Sequence, residues 1–182
     1  VKFLNLTARR NIDTLVKLWE IVTDGVCDNP GLSGSKFRTG VVMVGTHQAP
    51  DVEFLDYCMK QFFSFYNGEN VECPYIKVAI IHFYFVYMHP FCDGNGRIAR
   101  LLTSDFLIHS GLNNFSALTL SKTINETAPE YYQALENSEN SLHDVTPFIQ
   151  YMLKTVYDNL YEVLEGQGRY VVNHTDWGRK FV

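Results

Sequence analysis

The chain has 182 residues, a formal net charge of −5 and no basic run. Phosphate backbones require clustered Lys and Arg, so nucleic acid is excluded as the main partner, although a nucleotide held in a local positive pocket is not. A hydrophobic fraction of 46% against 19% charged residues is the balance of an ordinary globular domain, and at this length it suffices for one sizeable core.

The most apolar stretch, Ile76 to Met88, contains His82 and is too short to cross a bilayer, so no membrane partner is expected. Cys27, Cys58, Cys73 and Cys92 form no C-x-x-C pair, which argues against zinc and for a reduced, cytoplasmic setting. Four glycosylation tripeptides, beginning at Asn5, Asn114, Asn125 and Asn173, point the other way, but such tripeptides arise readily by chance. No signal peptide is visible. The first residue is Val1 rather than methionine, so the sequence can be a piece of a longer one.

In chain order, Asn11 to Val22 places Ile12, Leu15, Val16, Leu18 and Trp19 at helical spacing. Asp28-Asn29-Pro30-Gly31 breaks that pattern. Val41-Val42-Met43-Val44, between Gly40 and Gly45, is β-branched and predicts a strand in a short hairpin. Asp51 to Tyr66 carries Phe54, Leu55, Cys58, Met59, Phe62 and Phe63 on one side of a helix. Pro74 opens the next helix, which is apolar nearly all round and must therefore be central and buried. Pro90 stops it. Another helix runs from about Asn95 to Ser110, where Gly111 ends it. Two more are predicted, over Ala128 to Asn137 and Val145 to Leu164. The expected fold is an all-α bundle around a buried central helix with a small β-hairpin. The expected organisation is an N-terminal helical segment at 1–29, a main domain at 30–166 and a C-terminal tail at 167–182.

The chemistry concentrates in His89-Pro90-Phe91-Cys92-Asp93-Gly94-Asn95-Gly96-Arg97-Ile98-Ala99-Arg100. Gly94 and Gly96 allow positive φ and close approach of backbone to a ligand, so successive N–H groups can cradle an anion. The helix that follows aims its N-terminus at the same spot. Arg97 and Arg100 share a helix face and suit phosphate oxygens. Asn95 can donate to a phosphate oxygen without adding charge. Asp93 is the hard oxygen ligand that Mg2+ takes when it also binds substrate phosphates. His89 stands just ahead as a base near neutral pH. The parts describe phosphoryl or nucleotidyl transfer, without the Gly-x4-Gly-Lys-Ser/Thr of a P-loop. His82, two helical turns before His89 on the same face, reads as a core histidine.

His-Pro-Phe-x-Asp-Gly-Asn-Gly-Arg-x-x-Arg resembles the signature of the Fic family at every fixed position. Phe37 to Gly45 looks like the Fic flap hairpin, and the likeness extends from about Pro30 to Leu160. The resemblance implies a Fic fold and transfer of AMP from ATP to a Ser, Thr or Tyr hydroxyl of a target protein. By it, His89 is the general base, Asp93 the Mg2+ ligand, and Gly94, Asn95, Gly96, Arg97 and Arg100 the phosphate cradle. It further implies a flap, Val42, Met43, Val44, Gly45, Thr46 and His47, that docks the target by strand-like pairing. Tyr131, Tyr132 and an asparagine, Asn137 or Asn140, would contact the base. Gly94-Asn95-Gly96 favours AMP transfer over the kinase-like Doc branch. Members of this family are often restrained by an inhibitory helix or an antitoxin whose glutamate pairs with the second motif arginine, here Arg100. Glu165-Gly166 resembles the end of such a helix, but Tyr161 stands where a hydroxyl residue belongs. The alternatives are an enzyme that removes AMP, for which no glutamate is clearly placed, and a non-catalytic module that binds nucleotide or peptide.

Overall fold

The computed structural model describes residues 10–24, 37–44, 47–69, 71–111, 114–141, 144–158 and 161, with backbone alone for 114–119. Helix α1 (Ile12–Thr23) starts from a reciprocal cap: Asn11 Oδ1 accepts from Thr14 N, and Thr14 Oγ1 accepts from Asn11 N, both at 2.9 Å. Strands β1 (Met43–Val44) and β2 (His47–Gln48) form an antiparallel hairpin with Val44 opposite His47. A 3₁₀ turn at Val52–Phe54 then feeds α2 (Leu55–Asn67), so the helix expected from Asp51 tightens in its first turn. It is followed by α3 (Pro74–Met88), α4 (Asn95–His109), α5 (Asn114–Glu126) and α6 (Ala128–Asn140). Helix α7 covers residues 146–158.

The all-α bundle with one small hairpin agrees with the sequence reading. Helix α5 does not: no helix was expected there. Its sequence is rich in Ser, Thr and Asn, which compete with the helix for backbone hydrogen bonds. Tertiary burial of Leu120 and Ile124 overrides that preference.

Helix α3 is central because it supplies side chains to two cores. On one side Ile81, Phe85 and Met88 meet Leu15, Met59, Phe62, Ile98 and Leu102 from α1, α2 and α4. On the other, Val78, Ala79 and Phe83 meet Leu120, Ile124, Ala134, Phe148 and Met152 from α5, α6 and α7. Each large side chain buried in this way contributes roughly 1.5–3 kcal/mol. The one lysine in α3, Lys77, is buried too. Its ammonium donates to the Gly68 carbonyl at the end of α2 and lies over the rings of Phe65 and Phe106, at 5.5 and 5.2 Å. Among the described residues no helix is long and apolar enough to cross a membrane.

Candidate active site

Helix α3 ends at His89, the one non-glycine with positive φ among the described residues (φ 45°, ψ 61°). Its N–H still bonds Phe85 O at 3.1 Å, and Pro90 prevents any continuation. Holding a non-glycine in this left-handed region costs about 1 kcal/mol or more and persists where its surroundings over-determine it. They do. Phe91 is wholly buried and lies between Trp19 (centroids 5.2 Å, planes 11° apart) and Phe37 (5.3 Å, 18°). Asn95, also buried, accepts from Phe91 N at 2.9 Å and donates to Phe91 O at 2.8 Å. The side chain of Asn95 thus holds the loop from inside, and what it presents to a ligand is its backbone N–H.

Gly94 takes φ 82°, and a Cβ there would come within 2.9 Å of Thr23 Cγ2. It precedes α4, whose N-terminus has no side-chain cap. The N–H groups of Asn95, Gly96 and Arg97 therefore lack intrahelical partners and sit at the positive end of the helix dipole. Asp93 accepts from Gly94 N and faces Arg97 Nη2 at 3.3 Å; Arg97 Nη1 donates to Val22 O at 3.1 Å. Arg100 makes no hydrogen bond or ion pair among the described residues. Its charge is felt below: burial lowers the pKa of His82 and Arg100 adds to this, while burial raises the pKa of Tyr131 and Arg100 opposes it. No cluster of three or more metal-binding side chains exists among the described residues. A lone, partly exposed carboxylate at Asp93 fits a Mg2+ that takes its other ligands from phosphates and water.

His89 is half-buried, and its Nδ1 lies 3.3 Å from Val86 O. A carbonyl only accepts, so Nδ1 carries the proton and Nε2 keeps its lone pair. Burial lowers the pKa of His89 below the ordinary value. The Val86 hydrogen bond opposes this, Arg38 and His47 add to it, and Asp93 opposes it. The net lowering favours the neutral imidazole, and Nε2 has no partner among the described residues, the form a general base requires.

Arg38 connects His89 to the hairpin, a link the sequence reading missed. It is 2% exposed. Its guanidinium donates to His89 O (2.9 Å), Gly40 O (3.0 Å), Met88 O (3.3 Å) and Pro50 O, and its backbone N–H to Pro90 O (2.9 Å). The available signal was that Arg38 is the lone Lys, Arg, Asp or Glu between Phe37 and Pro50.

Of the expected flap residues, Gly45 and Thr46 lie outside the described residues. Val42 O accepts from Ala49 N at 3.0 Å, and Met43 is exposed on β1. His47 turns inward: Nε2 lies 2.9 Å from Tyr87 O and Nδ1 2.7 Å from Glu139 Oε1. Between the hairpin and α6 is a cavity of about 210 Å³, walled by Val44, His47, Tyr87, Tyr132, Leu135 and Glu139 among others. Of the expected base contacts, Tyr132 lines it. Tyr131 is buried with its hydroxyl 3.1 Å from His82 Nε2, Asn137 accepts from Gln133 along α6, and Asn140 is exposed and outside the described cavity wall. Glu165 lies outside the described residues.

Residues 11–107 match the family described as Fic/DOC. The Protein adenylyltransferase Fic of Drosophila melanogaster is 28% identical over 155 residues, covering 84% of this chain and 30% of the relative. Protein adenylyltransferase fic-1 of Caenorhabditis elegans is 34% identical over 125 residues, covering 68% of this chain and 23% of the relative. The chain thus spans less than a third of the length of these curated relatives. Among solved structures, a Fic family protein from Desulfovibrio desulfuricans G20 is similar with a TM-score of 0.69 and 26% identity, over 85% of this chain and 47% of that one. Fic-1 from C. elegans (residues 134–508) is similar with a TM-score of 0.67 and 25% identity, over 88% and 45%.

Proposed function

The chain belongs to the Fic/DOC family, and from that premise we propose that it is a protein adenylyltransferase, moving AMP from ATP to a Ser, Thr or Tyr hydroxyl of a target protein. The hydroxyl oxygen attacks the α-phosphorus, its proton passes to His89 Nε2, and the bond to the departing pyrophosphate breaks. The free N–H groups at the start of α4 receive phosphate oxygens, and Arg100 meets the outer phosphates. Asp93 would hold Mg2+, which supplies charge neutralisation on the phosphates. Arg97, now turned to Asp93 and Val22 O, lies within the same cradle. The base of the nucleotide enters the cavity beside Tyr132, and the exposed edge of the hairpin at Met43 docks the target chain.

The observation that carries this reading is that, among the described residues, His89 Nε2 and Arg100 have no hydrogen-bond partner beside a helix N-terminus without a side-chain cap. The test is intact-mass spectrometry of lysate proteins after incubation with the purified chain, ATP and Mg2+. A mass gain of one AMP on a recipient protein, absent with His89→Ala, supports it; a gain that survives His89→Ala contradicts it.

A further inference from the structure

Trp19 lies more than seventy positions before the motif glycine, yet it reaches the core of the site. Its indole Nε1 donates to the carbonyl of Asp93 at 2.9 Å. That carbonyl and the N–H of Gly94 belong to one peptide unit. The unit is trans, as no cis peptide bonds are present among the described residues. In a trans unit C=O and N–H point in opposite directions. Fixing the carbonyl toward α1 therefore fixes the Gly94 N–H away from α1, where it meets the Asp93 carboxylate. A glycine-flanked peptide turns over easily, because glycine populates both signs of φ. Turned over, this one would aim a carbonyl oxygen at an incoming phosphate in place of a donor.

We propose that Trp19 is a positioning residue that locks the Asp93–Gly94 peptide in its anion-receiving orientation. The lock has two further parts on α1. The ring of Trp19 stacks on Phe91, which sets its distance from the loop, and the Thr23 methyl closes the space beside Gly94. The Asp93 carboxylate holds the N–H in the place that a phosphate oxygen takes. This inference rests on the phosphate cradle proposed above at the start of α4 and extends it to the Gly94 N–H.

The test compares wild type with Trp19→Phe, which keeps a stacking ring and loses the N–H. Should that variant not fold, Trp19 is replaced by its benzothienyl isostere, which keeps the bicyclic shape. Carbonyl-13C aspartate with 15N-glycine leaves two Asp-Gly pairs in the spectrum, 24–25 and 93–94, so the Gly94 amide is readily found. The probe ligand is inorganic pyrophosphate with Mg2+, titrated calorimetrically. Loss of the N–H is expected to move or split the Gly94 amide resonance and to weaken pyrophosphate about tenfold, the scale of one hydrogen bond. Leu15→Val is the control: it loosens the seat of α1 and lowers the melting temperature without touching the peptide, so affinity and resonance should stay. An unmoved Gly94 resonance, or an unchanged affinity with only a lower melting temperature, overturns the proposal. Absence of pyrophosphate binding in wild type removes the nucleotide reading as well, which separates the two failures.

Discussion

His82 lies on α3 and His89 caps its end, seven residues on, and burial lowers the pKa of both. They nevertheless have different uses. His82 is 1% exposed and both its nitrogens are engaged. The Thr103 hydroxyl donates to Ala99 O at 2.9 Å, so its oxygen accepts from His82 Nδ1 at 2.9 Å, and Nε2 accepts from the Tyr131 hydroxyl. Every proton in that chain has one direction, and it ties α3 to α4 and α6. His89, past the end of the helix, has the same neutral ring with one nitrogen unclaimed. A depressed pKa therefore does not by itself mark the proposed base; a nitrogen unclaimed among the described residues, beside the uncapped start of α4, sets His89 apart.

The largest expected effect is on transfer. His89→Ala should lower the AMP-transfer rate by about 10²- to 10⁴-fold, the usual range for a general base, with the melting temperature little changed. Asn95→Ala should show the opposite character. It strips the buried Phe91 N–H and C=O of their partners and should cost about 2–4 kcal/mol in urea unfolding, releasing the loop that carries His89.

His82→Phe comes next. It leaves the Tyr131 and Thr103 hydroxyls without His82 and should cost about 2 kcal/mol at pH 7. It should also change the acid limb. His82 is lowered to about 3 when folded, against about 6.5 unfolded. Between these values the unfolded chain binds the proton and the native one does not. This contribution to stability is complete above pH 6.5 and falls with acid, by up to about 1.4 kcal/mol per unit, until pH 3. Urea unfolding across that range should be shallower in pH for the variant than for wild type.

The smallest effect concerns the pH profile of transfer. Because burial lowers the pKa of His89, the rate should be flat through neutrality and half-maximal below the ordinary histidine value of about 6.5. His47 contributes to that lowering. His47→Gln should therefore move the midpoint upward, by a fraction of a unit, while His82→Phe should leave its direction unchanged. An immobile midpoint in His47→Gln would break the assigned coupling between flap and base.

The regions legible in the sequence were those where one local rule dominates. Pro74 and Pro90 bracket α3 because proline opens and stops helices, and an apolar surface all round declared that helix central. The motif residues came as a fixed spacing, and the structure brings His89, Asp93, the start of α4 and Arg100 to one place. What escaped were contacts made across the fold. Arg38 is a lone charge in an apolar stretch, and its five acceptor carbonyls come from both sides of the site. Trp19 counted as one more apolar residue of a helix, since nothing in its neighbourhood announces the Asp93 carbonyl as its partner. Helix α5 escaped because its local preference opposes the outcome, and packing on α4 with burial of Leu120 and Ile124 in the second core decides it.

The most direct measurement supplies lysate and Mg2+ with ATP labelled at either the α- or the γ-phosphate, using wild type, His82→Phe and His89→Ala in parallel. The account predicts α-label on a recipient protein with wild type and with folded His82→Phe, none with His89→Ala, and no γ-label in any arm. Transfer of γ-label, or α-label that persists without His89, would contradict it.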